Sequence, residues 1–250
     1  MKNSINVPNA PECLFWLAVR QVVDQYGGYH SNMNSQSPPG INSAQRRIHA
    51  AALRLFAERD VTHISVSDLA AEAGVARSTI YNNLGDSAPL FDEVAAQLIH
   101  EMGARLSEVL EPLDDVALRL AFGVRLYLRR AYEEPLWGRF MNRFALSSAP
   151  LYALLASDVT RHLVEGIERG RYKLGSGQVP AAVVTIAGSV VAAMQLILEG
   201  HQTWRALGSE TAELLLVAFG ISQAEAKELA NRPLPVLPVL EAKSLSSVPI

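Results

Sequence analysis

The sequence predicts an all-α protein with a small helical domain followed by a larger one. Three observations carry this. Beyond Pro112 apolar residues recur three and four apart, with no convincing strand-like alternation. Segment ends carry Pro, Gly and short hydroxyl or carboxylate residues, the chemistry of helix caps. The stretch SVSDLAAEAGVARSTIYNNL, Ser65 to Leu84, divides at Gly74 into two short amphipathic segments.

In chain order, residues 1–42 stand apart. A short apolar patch at Leu14, Phe15 and Trp16 precedes a Gly, Ser, Asn and Pro-rich run from Gly27 to Gly40. This reads as a mostly disordered, dispensable arm with a helical turn or two between Pro11 and Tyr26, and Met33 is a candidate working start. The patch is too short and too poorly flanked for a signal peptide. Ser43 is expected to cap a helix whose apolar positions are Ile48, Ala52, Leu55 and Phe56. Ser65 and Asp68 have capping-box spacing, with Asp in place of the usual Glu. Val66, Leu69, Ala70 and Ala73 share one helix face, and Gly74 supplies the left-handed turn. Val75, Ile80 and Leu84 then seat a second short helix, which makes a helix-turn-helix corner.

Gly85 can close that helix, and Asp86 or Ser87 can cap a long one with Pro89 in its first turn, running to about Glu111. Asp114 to Glu133 follows, with Val116, Leu120, Val124 and Tyr127 on one stripe. Pro135 to Ser147 is short and aromatic, Pro150 to about Lys173 is helical, and Gly175 to Gly177 forms a loop. Pro180 to Leu198 has no charged residue. It is long enough for a membrane span, but Thr185, Gly188, Ser189 and Gln195 interrupt it and its ends lack aromatic or basic anchors. A helix apolar nearly all round is instead buried on more than one side. Ser209 to Gly220 is a second strongly apolar helix, Ile221 to Asn231 a short amphipathic one, and RPLPVLPVL an extended end.

The second helix of the corner points Arg77, Ser78, Thr79, Tyr81, Asn82 and Asn83 outward. Hydroxyls can reach phosphate oxygens, and amides can reach base edges, when such a helix enters a major groove. From Ser43 to Phe91 there are five Arg and five Asp or Glu, so no bulk basic footprint is present. The chain's net charge of -3 likewise requires any nucleic-acid contact to come from local placement. Arg46 and Arg47 sit in a first helical turn, where the dipole disfavours cations and a nearby phosphate would justify them. Cys13 is the single cysteine, which excludes an internal disulfide framework and fits a reducing, cytoplasmic compartment. With 250 residues and 49% hydrophobic content, the chain can bury a substantial core.

From Arg46 to Phe91 the sequence closely resembles the DNA-binding domain of the TetR family of transcriptional regulators. Ile48, Ala51, Leu55, Phe56, Ser65, Val66, Leu69, Ala70, Ala73, Gly74, Val75, Thr79, Ile80, Tyr81 and Leu90 carry the match. Asp60, Leu84 and Ser87 depart from it, standing where the family has Gly, Phe and a phosphate-contacting Lys. The resemblance implies a DNA-binding domain at residues 43–91, a helical effector-binding and dimerisation domain at 92–232, and a tail at 233–250, after the arm at 1–42. It further implies a homodimer joined through its last two long helices, here by Thr185, Gly188, Ser189, Ala192 and Leu215.

The expected DNA contacts are Arg46, Arg47, Ser65, Ser67, Arg77, Ser78, Thr79, Tyr81, Asn82 and Asn83. Phe122, Tyr127, Trp137, Phe140, Met141, Phe144 and Tyr152 concentrate aromatic and soft side chains of the kind that line effector pockets. Arg125, Arg139, Arg143 and Gln195 are candidate polar contacts there. His49, His63, His100, His162 and His201 are scattered without metal spacing. No phosphate loop, nucleotide fingerprint or nucleophile elbow is present, so no catalytic residue, metal or cofactor is expected. The reading is a regulator, a repressor released from double-stranded operator DNA by an unknown small molecule. The alternative is a helical ligand-binding or interaction module that has lost operator binding.

Overall fold

The computed structural model describes residues 43–59, 63–83 and 90–238. The expectations for the arm, for Met33 and for Asp60, Leu84, Gly85, Asp86, Ser87 and Pro89 lie outside these residues. Among the described residues all regular structure is helical. The helices are α1 (Ser43–Arg59), α2 (Val66–Ala73), α3 (Arg77–Asn83), α4 (Leu90–Leu110) and α5 (Val116–Glu133). They continue with α6 (Pro135–Phe144), α7 (Ala149–Glu168), α8 (Val179–Leu198), α9 (Trp204–Ala218) and α10 (Gln223–Asn231).

Local chemistry explains where these boundaries depart from the spacing. Ser43 is already helical and does not cap α1. α7 stops at Glu168 because the chain reverses there. The Arg171 and Tyr172 N–H groups both donate to the Gly166 carbonyl, at 2.8 and 3.1 Å, and tie the exit back onto the last turn. α9 begins at Trp204, ahead of the expected Ser209, because the Thr203 hydroxyl accepts from the Ala206 N–H at 3.3 Å. The polar run RALGSE masks that start. A single 3-10 turn, Ser176–Gln178, occupies the expected loop.

α1 buries Ile48, Ala51, Ala52, Leu55, Phe56 and Ala57, and packs against α2, α3, α4 and α6. α5 is the axis of the larger body, with 12 of its 18 residues buried and α4, α6, α7, α8, α9 and α10 all packed on it. α8 with its leading turn, Ser176–Leu198, is long and apolar enough to cross a membrane, with mean hydropathy 2.2. Its inner face, including Val183, Ile186, Val190, Met194 and Ile197, is buried against α5, α6, α7 and α9. Residues 232–238, after α10, carry no regular structure and dock on the larger body. The Arg232 carbonyl accepts from Arg125 Nη1, the Pro238 carbonyl accepts from Arg105 Nε, both at 2.7 Å, and Leu237 is buried.

A buried polar relay ties α7 to the start of α5. Tyr172 Oη donates to the Val116 carbonyl at 3.0 Å, and His162 Nε2 lies 3.1 Å from the Tyr172 hydroxyl, so the imidazole N–H donates to the phenol. Gly166 makes room for this relay, since a Cβ there would stand 2.1 Å from the Tyr172 ring. Burial, and then the Arg119 charge, push the His162 pKa down from 6.5 to about 4. Below pH 6.5 the unfolded chain therefore takes up a proton that the folded chain refuses. The stabilisation is complete above 6.5 and is lost progressively as pH falls toward 4, by up to about 3 kcal/mol. Urea unfolding should show a lower midpoint at pH 5 than at pH 7, and His162→Gln, which keeps an N–H donor, should flatten that difference. An unchanged pH slope in His162→Gln would contradict the assignment.

Candidate nucleic-acid interface and effector domain

The corner forms for reasons visible residue by residue. The Ser65 hydroxyl accepts from the Asp68 N–H at 3.0 Å, which is half of the expected capping box. At the other end of α2, Gly74 adopts φ 61°, ψ 40°, a left-handed conformation that β-carbon crowding disfavours in other residues. Leu69, Ala70, Ala73 and Ile80 point into the domain core. That seating turns the opposite side of α3 outward, with Arg77, Ser78, Tyr81 and Asn82 exposed and Tyr81 68% accessible. Thr79 and Asn83 are half-buried, and the Asn83 amide donates back to the Thr79 carbonyl at 2.7 Å. Asn82 is therefore the more open of the two amides. Ser65, Ser67, Arg46 and Arg47 are exposed.

Charge placement adds what the even count leaves open. Glu72 pairs with Arg54 at 2.6 Å and Asp68 with Arg59 at 3.3 Å, so the acids of α2 are neutralised by α1. Arg46, Arg47 and Arg77 are exposed and carry no ion pair among the described residues. The domain thus combines near-zero total charge with a local cationic surface, which is what phosphate contact requires.

Comparison with known proteins bears directly on this corner. Residues 48–94 match the family model of bacterial regulatory proteins of the tetR family, and residues 115–232 match the tetracyclin repressor-like C-terminal domain. The chain belongs to the TetR family. Among solved structures, RolR in complex with resorcinol is 29% identical, covering 78% of this chain and 96% of that one, with a TM-score of 0.61. FadR from Bacillus subtilis in complex with stearoyl-CoA is 20% identical, covering 71% and 99%, with a TM-score of 0.60. A TetR-family regulator from Marinobacter aquaeolei is 17% identical, covering 70% and 95%, with a TM-score of 0.60. The latter two show likeness of fold. No curated protein sequence matches the chain.

In this TetR-family chain the residues expected to line one effector pocket lie in four places. Phe140 and Phe144 join Phe56 and Phe91 in an aromatic cluster where α6 meets α1 and α4, with ring centres 4.9 to 6.4 Å apart. Arg143 reinforces that junction by donating from Nη1 to the Ala57 carbonyl at 3.0 Å, near the C-terminal end of α1. Arg125, beside Phe122, faces the other way, toward Gly208 of α9 and the Arg232 carbonyl. Gln195 is exposed on α8, bonded to Asn142 and Glu199. Trp137 and Met141 are buried on α6, and Trp137 stacks under Arg130, a residue that the sequence reading did not single out. Arg130 stands at the polar-looking end of α5 in the run RR, which reads as a solvated helix terminus.

The residues expected at a dimer interface need one correction. Thr185 and Ala192 are exposed on α8, Gly188 and Ser189 are half-buried beside them, and a Cβ at Gly188 would meet nothing within 4 Å. Leu215, however, is only 3% exposed and belongs to the chain's own core. With Gly208, Ala212 and Leu216 it forms the inward stripe of α9. In the run LLLV all four side chains are apolar, so periodicity could not choose between them. The outward ones are Leu214 and Val217, 71% and 41% exposed, matched on α8 by Val184 at 60% and Leu196 at 39%.

Proposed function

We propose that this chain works as a cytoplasmic, non-enzymatic homodimer that binds double-stranded operator DNA and is released from it by a small molecule, most simply as a repressor. Operator contact is carried by one observation. α3 turns Arg77, Ser78, Tyr81 and Asn82 outward from a glycine-hinged corner whose acids are already paired with α1. Hydroxyls of Ser65, Ser67, Thr79 and Tyr81, with Arg46 and Arg47, supply phosphate contacts, and Asn82 and Asn83 supply base contacts. Two such helices read half-sites roughly 34 Å apart or a multiple of that spacing.

The dimer reading is supported by the apolar face of α8 and α9. Val184, Leu196, Leu214 and Val217 are large apolar side chains left in water on one chain, and Thr185, Gly188, Ser189 and Ala192 are small enough for close helix approach. Burial of that face at about 25 cal/mol per Å² would drive association. Effector control is supported by the path between domains. α6 carries Trp137 inside the larger body and, within two turns, Phe140 and Arg143 against α1 and Phe144 against α4. A ligand that favours one placement of α6 therefore favours one placement of α1 and the corner it holds. The RolR relative was solved with resorcinol, a small aromatic molecule, in keeping with effector binding by this class of domain.

Two measurements check this reading. Tyr81→Ala should weaken binding to the DNA flanking the protein's own gene by about tenfold, with similar losses on unrelated duplexes, because a phosphate contact carries no sequence information. Unchanged affinity at moderate salt would remove Tyr81 from the interface. Leu214→Arg should convert the dimer to a folded monomer by light scattering; a dimer that persists would exclude this face.

A further inference from the structure

Four buried side-chain N–H groups of the larger body, on Arg119, Arg125, Arg130 and Trp137, have no acceptor among the described residues, and two of them stand side by side. Trp137 Nε1 and Arg130 Nη1 are shielded from solvent and have no acceptor among the described residues. Both residues are only 2% exposed. They are also neighbours, since the Arg130 guanidinium carbon lies 4.5 Å from the centre of the Trp137 ring. A buried donor without a partner is destabilising, and native cores hold few of them. Two together mark a place that an added acceptor would complete.

The surroundings define what that acceptor belongs to. Arg130 Nε donates to Glu134 at 3.0 Å and Nη2 to Glu101 at 2.9 Å, while Arg105 Nη1 reaches the same two carboxylates at 2.9 and 3.3 Å. Two guanidinium groups and two carboxylates balance, so an anion would enter with no net countercharge and would lose its hydration. The Tyr127 ring lies 5.7 Å from that of Trp137, a distance suited to flat partners. Burial, then the field of Asp158 on α7, raise the Tyr127 pKa, so its hydroxyl stays neutral. α7 covers this side loosely. Only Leu151, Leu163 and Gly166 of its 20 residues are buried, and Leu154, Leu155 and Val159 touch the core while remaining half-buried.

We propose that Arg130 Nη1 and Trp137 Nε1 form the polar end of a subsite between α5, α6 and α7 for an uncharged, single-ring aromatic molecule of the phenol class. Its oxygen accepts from both donors, and its ring lies near Tyr127 and Trp137 against the apolar side chains of α7. This names the ligand class of the effector domain and rests on the regulator reading above. It also places the ligand on α6, one turn from Phe140.

The test uses the full-length dimer with indole nitrogens labelled, Trp137 assigned through Trp137→Phe, and Trp204 as internal control. Millimolar phenol should move the Trp137 indole N–H resonance saturably and leave Trp204 in place, and benzoate should bind more weakly than phenol. Trp137→Phe, which keeps an aromatic ring and removes the donor together with the pyrrole portion of the indole, should weaken phenol binding by about fivefold in calorimetry. A Trp137 resonance that responds to neither probe would show that solvent satisfies these donors and would overturn the subsite, as would tighter binding of benzoate or unchanged affinity in Trp137→Phe. A gel shift on the same sample separates the two levels. DNA binding without a phenol response sinks the subsite alone, whereas a chain that binds no duplex sinks the regulator reading whatever phenol does.

Discussion

Four phenylalanine rings hold the two halves of this molecule together. Phe56 comes from α1, Phe91 from α4, and Phe140 and Phe144 from α6, and each touches at least two of the others at edge-on or tilted angles. Such contacts contribute about 0.5–1.5 kcal/mol per pair beyond the burial of area. Directional ring packing also resists sliding in a way that interchangeable aliphatic contacts do not. The Arg143 bond to the Ala57 carbonyl pins the same junction from its rim. The corner is held by α1, and α1 is fastened to α6 as well as to the connecting helix α4, so α6 offers a physical path from the interior of the larger body toward α3.

Placement of charge matters as much as placement of rings. By composition the corner is neutral, yet α1 spends Arg54 and Arg59 on the acids of α2. Arg46, Arg47 and Arg77 stay at the surface with no ion pair among the described residues. Ion pairs this exposed add little to stability. Their consequence is electrostatic: they remove the repulsion that Glu72 and Asp68 would otherwise present to a phosphate backbone. The same economy appears inside the larger body, where Arg105, Arg130, Glu101 and Glu134 neutralise one another and leave two neutral-facing donors.

The corner was legible in the sequence because its signals are local. A hydroxyl cap, a left-handed glycine and apolar residues three and four apart fix α2 and α3 within a few residues of where they lie. The helices of the larger body were legible by period, and their ends less so, because Thr203 caps a polar run and Gly166 accepts a bond from beyond α7. Tertiary facts were hidden. Nothing in LLLV separates inward Leu215 from outward Leu214, since only packing on α5 decides it. Phe140 and Phe144 read as pocket lining when aromatic content alone was weighed, but they meet partners from α1 and α4 that are about 50 to 90 residues distant. Arg130 carried no signal, because a buried guanidinium depends on carboxylates from α4 and from the helix end that no spacing rule connects.

Native-state hydrogen exchange tests the central claim most directly, namely that the aromatic junction makes α1 and α6 one cooperative unit. The slowest amides around Leu55 and Phe56 in α1 should open with the same free energy as those around Phe140 and Phe144 in α6, and Phe144→Ala should lower both together. Opening of α1 through α3 at a much lower free energy, with α6 unaffected, would contradict it.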